Sequence, residues 1–211
     1  IDNEEVPIMD GSAIDFLNIL NKTGIITLTK KRKYLKILDK VELIDGERRI
    51  SIEPNELSFE VEFQLNYENK IIGKQRNFIN FQNDNVDDVS KSRTFCLFED
   101  IEKIKKIGLA KGGSLNNAVV VNQDKVLNDG GLRNKKEFVN HKILDLAGDF
   151  LLSGYRVLGK IDCYQGGHEL TNMFLKKLLD FKSAYTSIEL EDVVMSKKTS
   201  SYQSIKVAVN A

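Results

Sequence analysis

This chain has only two histidines, and both lie in one stretch with two aspartates at regular intervals. His141, Asp145 and Asp149 are spaced i, i+4, i+8, which on a helix stacks an imidazole and two carboxylates one turn apart along one side. An imidazole followed one turn later by a carboxylate is how a helix offers two ligands to one metal ion, and both donors suit Zn²⁺. A catalytic zinc holds three protein ligands and keeps one position open for water, so this segment supplies only part of a set. His168 follows a Gly166-Gly167 pair that lets the backbone bend sharply between a strand and a helix, leaving the imidazole exposed and aimed. A histidine on an otherwise apolar helix also occurs as a satisfied structural residue, and H-x-x-x-D spacing does not separate the two readings.

The elements that must hold these groups can be read from periodicity. Phe138, Val139, Leu144, Leu146, Ala147, Phe150 and Leu151 recur at helical spacing, with Asn134 as N-cap, Glu137 three residues on as in a capping box, and Gly154 as a stop. This predicts one helix over 134–153. A strand over 158–164 leads to a second helix starting near His168, with Leu170, Phe174, Leu175, Leu178 and Leu179 on its apolar face. From 34 to 81 the period becomes two. Val41 and Leu43 lead to an Asp45-Gly46 hairpin answered by Ile50 and Ile52, while Leu57, Phe59, Val61, Phe63 and Leu65 alternate with polar residues, and 76–81 adds a further strand. Two helices layered on this mostly antiparallel sheet give an α+β class.

Elsewhere, Ser12 and Asp15 open a helix with Ile14, Phe16, Leu17 and Leu20 on its stripe and Gly24 at its end; 25–29 reads as a short strand. The basic run Lys30-Lys31-Arg32-Lys33 reads as a solvated linker, with a transient contact to anionic headgroups as the other reading. A polar helix over 84–91 precedes Arg93-Thr94-Phe95. Ile101, Ile104 and Ile107 share one face of a helix closed by Gly108, opposite Lys103, Lys105 and Lys106. The tail from Ser187 is mixed, and Ile205 to Val209 could form a last strand.

With 211 residues and 41% hydrophobic content, the chain can bury one good core or two small ones. Thirty-one basic side chains balance thirty-one acidic ones, which argues against a general nucleic-acid binder. No apolar run approaches the ~20 residues that span a bilayer, and the first residues lack signal-peptide order, so a cytoplasmic protein is expected. Cys96 and Cys163 are isolated and read as reduced thiols.

The run from Glu137 through His141, Lys142, Asp145 and Asp149, followed by Gly166-Gly167-His168-Glu-Leu-Thr-Asn172, resembles the UDP-3-O-acyl-N-acetylglucosamine deacetylase family, zinc amidohydrolases of lipid A (lipopolysaccharide) biosynthesis. Val6-Pro-Ile-Met-Asp10-Gly-Ser-Ala13, Arg93-Thr94-Phe95, Gly112-Gly113-Ser114 to Val120 and Val126-Leu-Asn128 match in the same order. The resemblance implies two two-layer α/β sandwich domains, each a mostly antiparallel sheet packed on two helices. Residues 1–30 would be the remnant of the first domain and 31–211 the second, with an inserted β-α-β unit at about 97–121.

It further implies a Zn²⁺ cofactor held by His141 and Asp145, with a third ligand and a general base on a Glu-His pair that this numbering lacks, as in an incomplete record of a longer protein. His168 would be the catalytic acid oriented by Asp149, and Thr94 would assist at the oxyanion. Lys142, Phe95 and Tyr67 would contact substrate; Ile101, Gly113, Ser114 and Val120 would line an acyl passage. Gln165 and Asn69-Lys70 stand where the family commonly has a Lys and a His-Pro. The expected partner is the UDP-linked acylated glucosamine substrate, with no nucleic acid and with the protein a monomer. The alternative is a non-catalytic acyl-lipid or nucleotide-sugar binding module; a third option is a plain structural domain in which Asp149 and His168 form only an ion pair.

Overall fold

A computed structural model describes residues 6–26 and 28–190. In chain order the elements are α1 (Ile14–Thr23), β1 (Arg32–Ile37), β2 (Val41–Asp45), β3 (Arg48–Glu53), β4 (Phe59–Asn66), β5 (Lys74–Asn80), α2 (Asp87–Lys91), β6 (Phe95–Leu97), α3 (Ile101–Lys106), β7 (Val119–Asn122), β8 (Lys125–Val126), α4 (Glu137–Leu151), β9 (Arg156–Tyr164), α5 (His168–Asp180) and β10 (Tyr185–Leu190). The class is α+β, as the periodicities require. The possible strand at 205–209 lies outside the described residues.

β9 is the strand that the sheet is built on. Its first residues pair in parallel with β1, which carries β10 antiparallel on its other edge. Beyond Gly159 it is flanked by β3, antiparallel, and by β4, parallel. The β2–β3 hairpin and the β4–β5 pair extend the sheet outward. Antiparallel pairing predominates, but the two parallel pairings of β9 exceed the expectation from period alone. Gly159 stands where β9 exchanges β1 for β3, and a Cβ there would lie 2.9 Å from Ile37 and 3.0 Å from Ile52.

α4 and α5 cover one face of this sheet. Phe138, Ile143, Leu146 and Phe150 of α4 share one buried cluster with Phe63 and Ile161 of the sheet and with Leu170, Phe174 and Leu178 of α5; all are at most 2% exposed. Phe150 bridges the two helices and the sheet, with ring centroids 6.1 Å from Phe174 and 5.8 Å from Phe59. Burying each such side chain contributes about 1.5–3 kcal/mol, so the layer is held chiefly by these contacts.

Several expectations are corrected. The described residues of 25–29 form no strand, and Ile25, Ile26 and Leu28 are 87%, 83% and 77% exposed. Lys30–Lys33 is not a free linker, since Arg32 and Lys33 open β1. Leu57 precedes β4 and is 57% exposed, so the buried alternation starts with Phe59. Ile107 lies beyond α3 and is 72% exposed rather than packed with Ile101 and Ile104. β6 and β7 pair in parallel with α3 between them, a β-α-β crossover beside the main sheet.

Glu137 does not close a capping box. It is fully buried and accepts hydrogen bonds from Arg93 Nε at 2.8 Å, Arg93 Nη2 at 3.2 Å and the backbone N–H groups of Arg93 and Arg133 at 3.1 and 2.6 Å. Arg93 Nη2 also donates to the Gly131 carbonyl at 2.8 Å. Asn134 still serves the helix start, its Oδ1 accepting the Lys136 N–H at 3.0 Å. The fork of Arg93 thus ties the loop after α2 to the first turn of α4.

Two stability tests follow from these contacts. Gly159→Ala should lose about 1–3 kcal/mol in urea unfolding, because Ile37 and Ile52 must both give way; an unchanged midpoint would show that the strand junction has slack. Glu137→Ala should lose about 3–5 kcal/mol by stranding the Arg93 charge. The double variant Arg93→Met/Glu137→Met should recover only part of that, since the N–H groups of residues 93 and 133 stay unpaired.

Candidate active site

The site is built on α4. Ser92 ends α2 in extended backbone, its N–H bonded to the Val89 carbonyl, its hydroxyl donating to the Asp88 carbonyl at 2.6 Å and accepting from Asn134 Nδ2 at 3.2 Å. With Arg93 also anchored, the Ser92 carbonyl is fixed in place. It lies 3.0 Å from Nδ1 of His141, which is 7% exposed. A carbonyl only accepts, so Nδ1 carries the hydrogen and Nε2 presents a lone pair.

That lone pair faces Oδ1 of Asp145 at 3.2 Å. Burial lowers the His141 pKa, although Asp145 and the Ser92 carbonyl pull the other way, and this favours the neutral ring. In the neutral ring an imidazole lone pair and a carboxylate oxygen converge, an arrangement that a cation relieves. Lys142 Nζ, 3.1 Å from Oδ2 of Asp145, supplies part of the countercharge and also sits 5.6 Å above the Phe95 ring. Imidazole and carboxylate are donors that fit Zn²⁺. Among the described residues no third His, Cys, Asp or Glu completes a metal-holding group with them.

His168 is the first residue of α5, and its Nδ1 lies 3.0 Å from both oxygens of Asp149. Its Nε2 is 3.9 Å from Oδ2 of Asp145, which joins the two histidines through one carboxylate. The hydrogen bond to Asp149 raises the His168 pKa, outweighing partial burial, with Asp145 adding to the rise. The raised value prevails even though a helix N-terminus disfavours a cation.

The bend before His168 is made differently from the expectation. Gln165, not a glycine, takes the left-handed backbone, at φ 54°. Its side chain compensates by clasping Asn66, accepting the Asn66 N–H and donating to the Asn66 carbonyl, so its amide is engaged with β4. Gly166 is required for space, since a Cβ would meet Cys163 Sγ at 2.3 Å and the Phe63 ring at 3.2 Å. Gly167 is extended and has open space. Burial raises the Cys163 thiol to about 12, leaving it a neutral packing group beneath the turn.

Beside the polar groups lies a cavity of about 880 Å³ whose walls include Thr94, Phe95, Ile101, Gly113, Ser114 and Val120. Most of the side chains that line it are apolar. Phe95 joins the two regions, its ring 6.4 Å from His141 and 6.1 Å from Tyr67. Tyr67 packs on the edge of Phe95, outside the cavity wall. Gly113 closes a turn, its N–H donating to the Ala110 carbonyl at 3.0 Å. The Gly11 loop is pinned nearby, where the Gly11 carbonyl accepts the Thr94 N–H at 2.8 Å and a Cβ on Gly11 would collide with the Asn117 carbonyl at 2.1 Å. Arg93, Glu137 and the Ser92 carbonyl were not legible as parts of the site; the first two carry a charge signal without a partner in sequence, and a backbone carbonyl carries none.

A sequence profile of the UDP-3-O-acyl N-acetylglycosamine deacetylases matches residues 1–180. The UDP-3-O-acyl-N-acetylglucosamine deacetylase of Nautilia profundicola is 41% identical over 181 residues, 85% of this chain and 61% of that protein. Those of Nitratiruptor sp. and Helicobacter pylori J99 are each 39% identical, over 90% and 85% of this chain and 63% and 61% of theirs. The chain spans about three-fifths of the length of these relatives. A profile match over residues 1–180, with relatives near 40% identical over 85–90% of the chain, is decisive: the chain belongs to the UDP-3-O-acyl N-acetylglycosamine deacetylase family.

Proposed function

We propose that this chain forms the larger part of a zinc-dependent hydrolase that removes the N-acetyl group of UDP-3-O-acyl-N-acetylglucosamine, releasing acetate, in lipid A biosynthesis. The names of its relatives support the substrate and the reaction. The observation that carries the metal is the convergence of Nε2 of His141 on the Asp145 carboxylate at 3.2 Å, with Nδ1 of the same ring occupied by the Ser92 carbonyl.

In this reading His141 and Asp145 hold Zn²⁺, with a third ligand and the general base from outside the described residues. The bound metal would polarise the acetamide carbonyl and lower the pKa of its water to about 7. His168, held as imidazolium by Asp149, stabilises the negative charge that develops on the carbonyl oxygen and then gives its proton to the leaving amine. Thr94 adds a hydroxyl donor from the cavity wall. Lys142 stands beside the metal pair as a point charge for the sugar hydroxyls or phosphates. The cavity beyond Phe95 takes the 3-O-acyl chain, with Ile101, Ser114 and Val120 against it and Gly113 at its turn. Tyr67 supports Phe95 from behind and extends the surface open to the nucleotide.

The full-length protein should contain about one zinc per chain, and His141→Ala should lose both the metal and deacetylation; neither metal nor activity in the parent would leave only a binding module. The His168 titration is a second check. Its folded pKa lies above the ordinary value of about 6.5, so the imidazolium's contribution to stability is complete below that value and fades as pH rises through the folded one. In ring-proton NMR of the metal-free protein, Asp149→Asn should move this titration down; an unmoved curve would remove Asp149 as the orienting group.

A further inference from the structure

From 102 to 116 every residue except Ile104 is exposed. The segment lines one side of the cavity through Ile104, Lys105, Leu109, Lys111, Ser114 and Leu115, with Ile107 standing outside it. Within it Ile107, Leu109 and Leu115 are 72%, 58% and 48% exposed. Lys103, Lys105, Lys106 and Lys111 stand against a single carboxylate, Glu102. Lys103 also neutralises Asp100 at the foot of α3, at 3.1 Å.

Single exposed apolar residues are ordinary, but Ile107 beside Leu109 and Leu115 on the exposed ridge at the rim of the cavity, interleaved with lysines, asks for a surface that is apolar and anionic together. The geometry points to docking of this ridge on a lipid bilayer bearing anionic headgroups: Ile107, Leu109 and Leu115 enter the interface while the lysine stems carry their charges to the phosphates. The chain's zero net charge provides no long-range attraction. At about 0.1 M salt, fields reach only about 10 Å, so the local cluster governs the contact. An acidic protein partner would satisfy the lysines, but a stable protein interface takes about 20–30 residues a side, more than this ridge contains. Docking would set the cavity wall against the membrane, so that an acyl chain could move between them without crossing water. That last step alone rests on the acyl-substrate reading.

Co-sedimentation of the full-length protein with vesicles tests this without turnover or metal, so its failure is distinct from failure of the deacetylase reading. Binding is expected to vesicles containing about a quarter phosphatidylglycerol and not to phosphatidylcholine alone, with release at high salt. Each lysine near an anionic surface contributes about fivefold, so Lys105→Glu/Lys106→Glu should lower partition at least about 25-fold. Ile107→Asp, on a side chain 72% exposed, should also release the protein with little change in its thermal unfolding. The proposal is overturned by no binding to either vesicle, by equal binding to both, or by release with Lys30→Glu/Lys31→Glu but not with the ridge variants. Binding of an acidic protein in place of vesicles would overturn it as well.

Discussion

A buried ion pair decides where the chemistry of this protein can sit. Glu137 has no access to solvent, and Arg93 is only 8% exposed. Charges so placed are tolerated only when their hydrogen-bonding capacity is met, and the carboxylate here receives four N–H donors from two segments. The apolar face of α4 would bring that helix to the sheet without the pair, since Phe138, Ile143, Leu146 and Phe150 suffice for packing. What they would not do is hold residues 92–94 against the first turns of the helix. The pair sets the Ser92 carbonyl over His141, and thereby which ring nitrogen is left bare.

Most of the layer was legible because burial there follows local period. The β2–β3 hairpin, β4 from Phe59, and the apolar stripes of α4 and α5 all appear where alternation or helical spacing places them. The failures share one cause, that the partner of a residue is not written beside it. The apolar Ile25, Ile26 and Leu28 look like a strand, yet no described strand edge receives them. Glu137 has the spacing of a local cap, and its partner stands 44 residues earlier. At the bend before His168 two glycines suggest freedom of backbone, whereas the strained residue is Gln165 and Gly166 is small because Cys163 and Phe63 leave no room. The pairing of His168 with Asp149 is likewise a tertiary fact, set by how α5 leaves β9.

The polar and apolar parts of the site meet at one ring. Phe95 opens β6, touches Phe138 of the core at 4.9 Å between centroids, and turns its face to the Lys142 ammonium. It keeps the His141 and Asp145 pair beside a low-dielectric wall, where electrostatic interactions are stronger than in water. The same ring begins the cavity. A ligand with a charged head and a long apolar chain therefore finds both environments adjoining, which is how concave sites combine orientation with affinity.

The two histidines rest on the most tightly packed part of the molecule, whereas the cavity's outer wall rests on very little. Local opening of a protein follows buried contact, so the segments should exchange their amide hydrogens on different scales. His141, on a helix buried against the sheet, keeps its place until the whole layer melts. Residues 102–116, exposed except at Ile104, should open at lower cost. A wall that opens independently of the two histidines can change the shape of the cavity while their spacing stays constant, so that adaptability and precision reside in separate cooperative units.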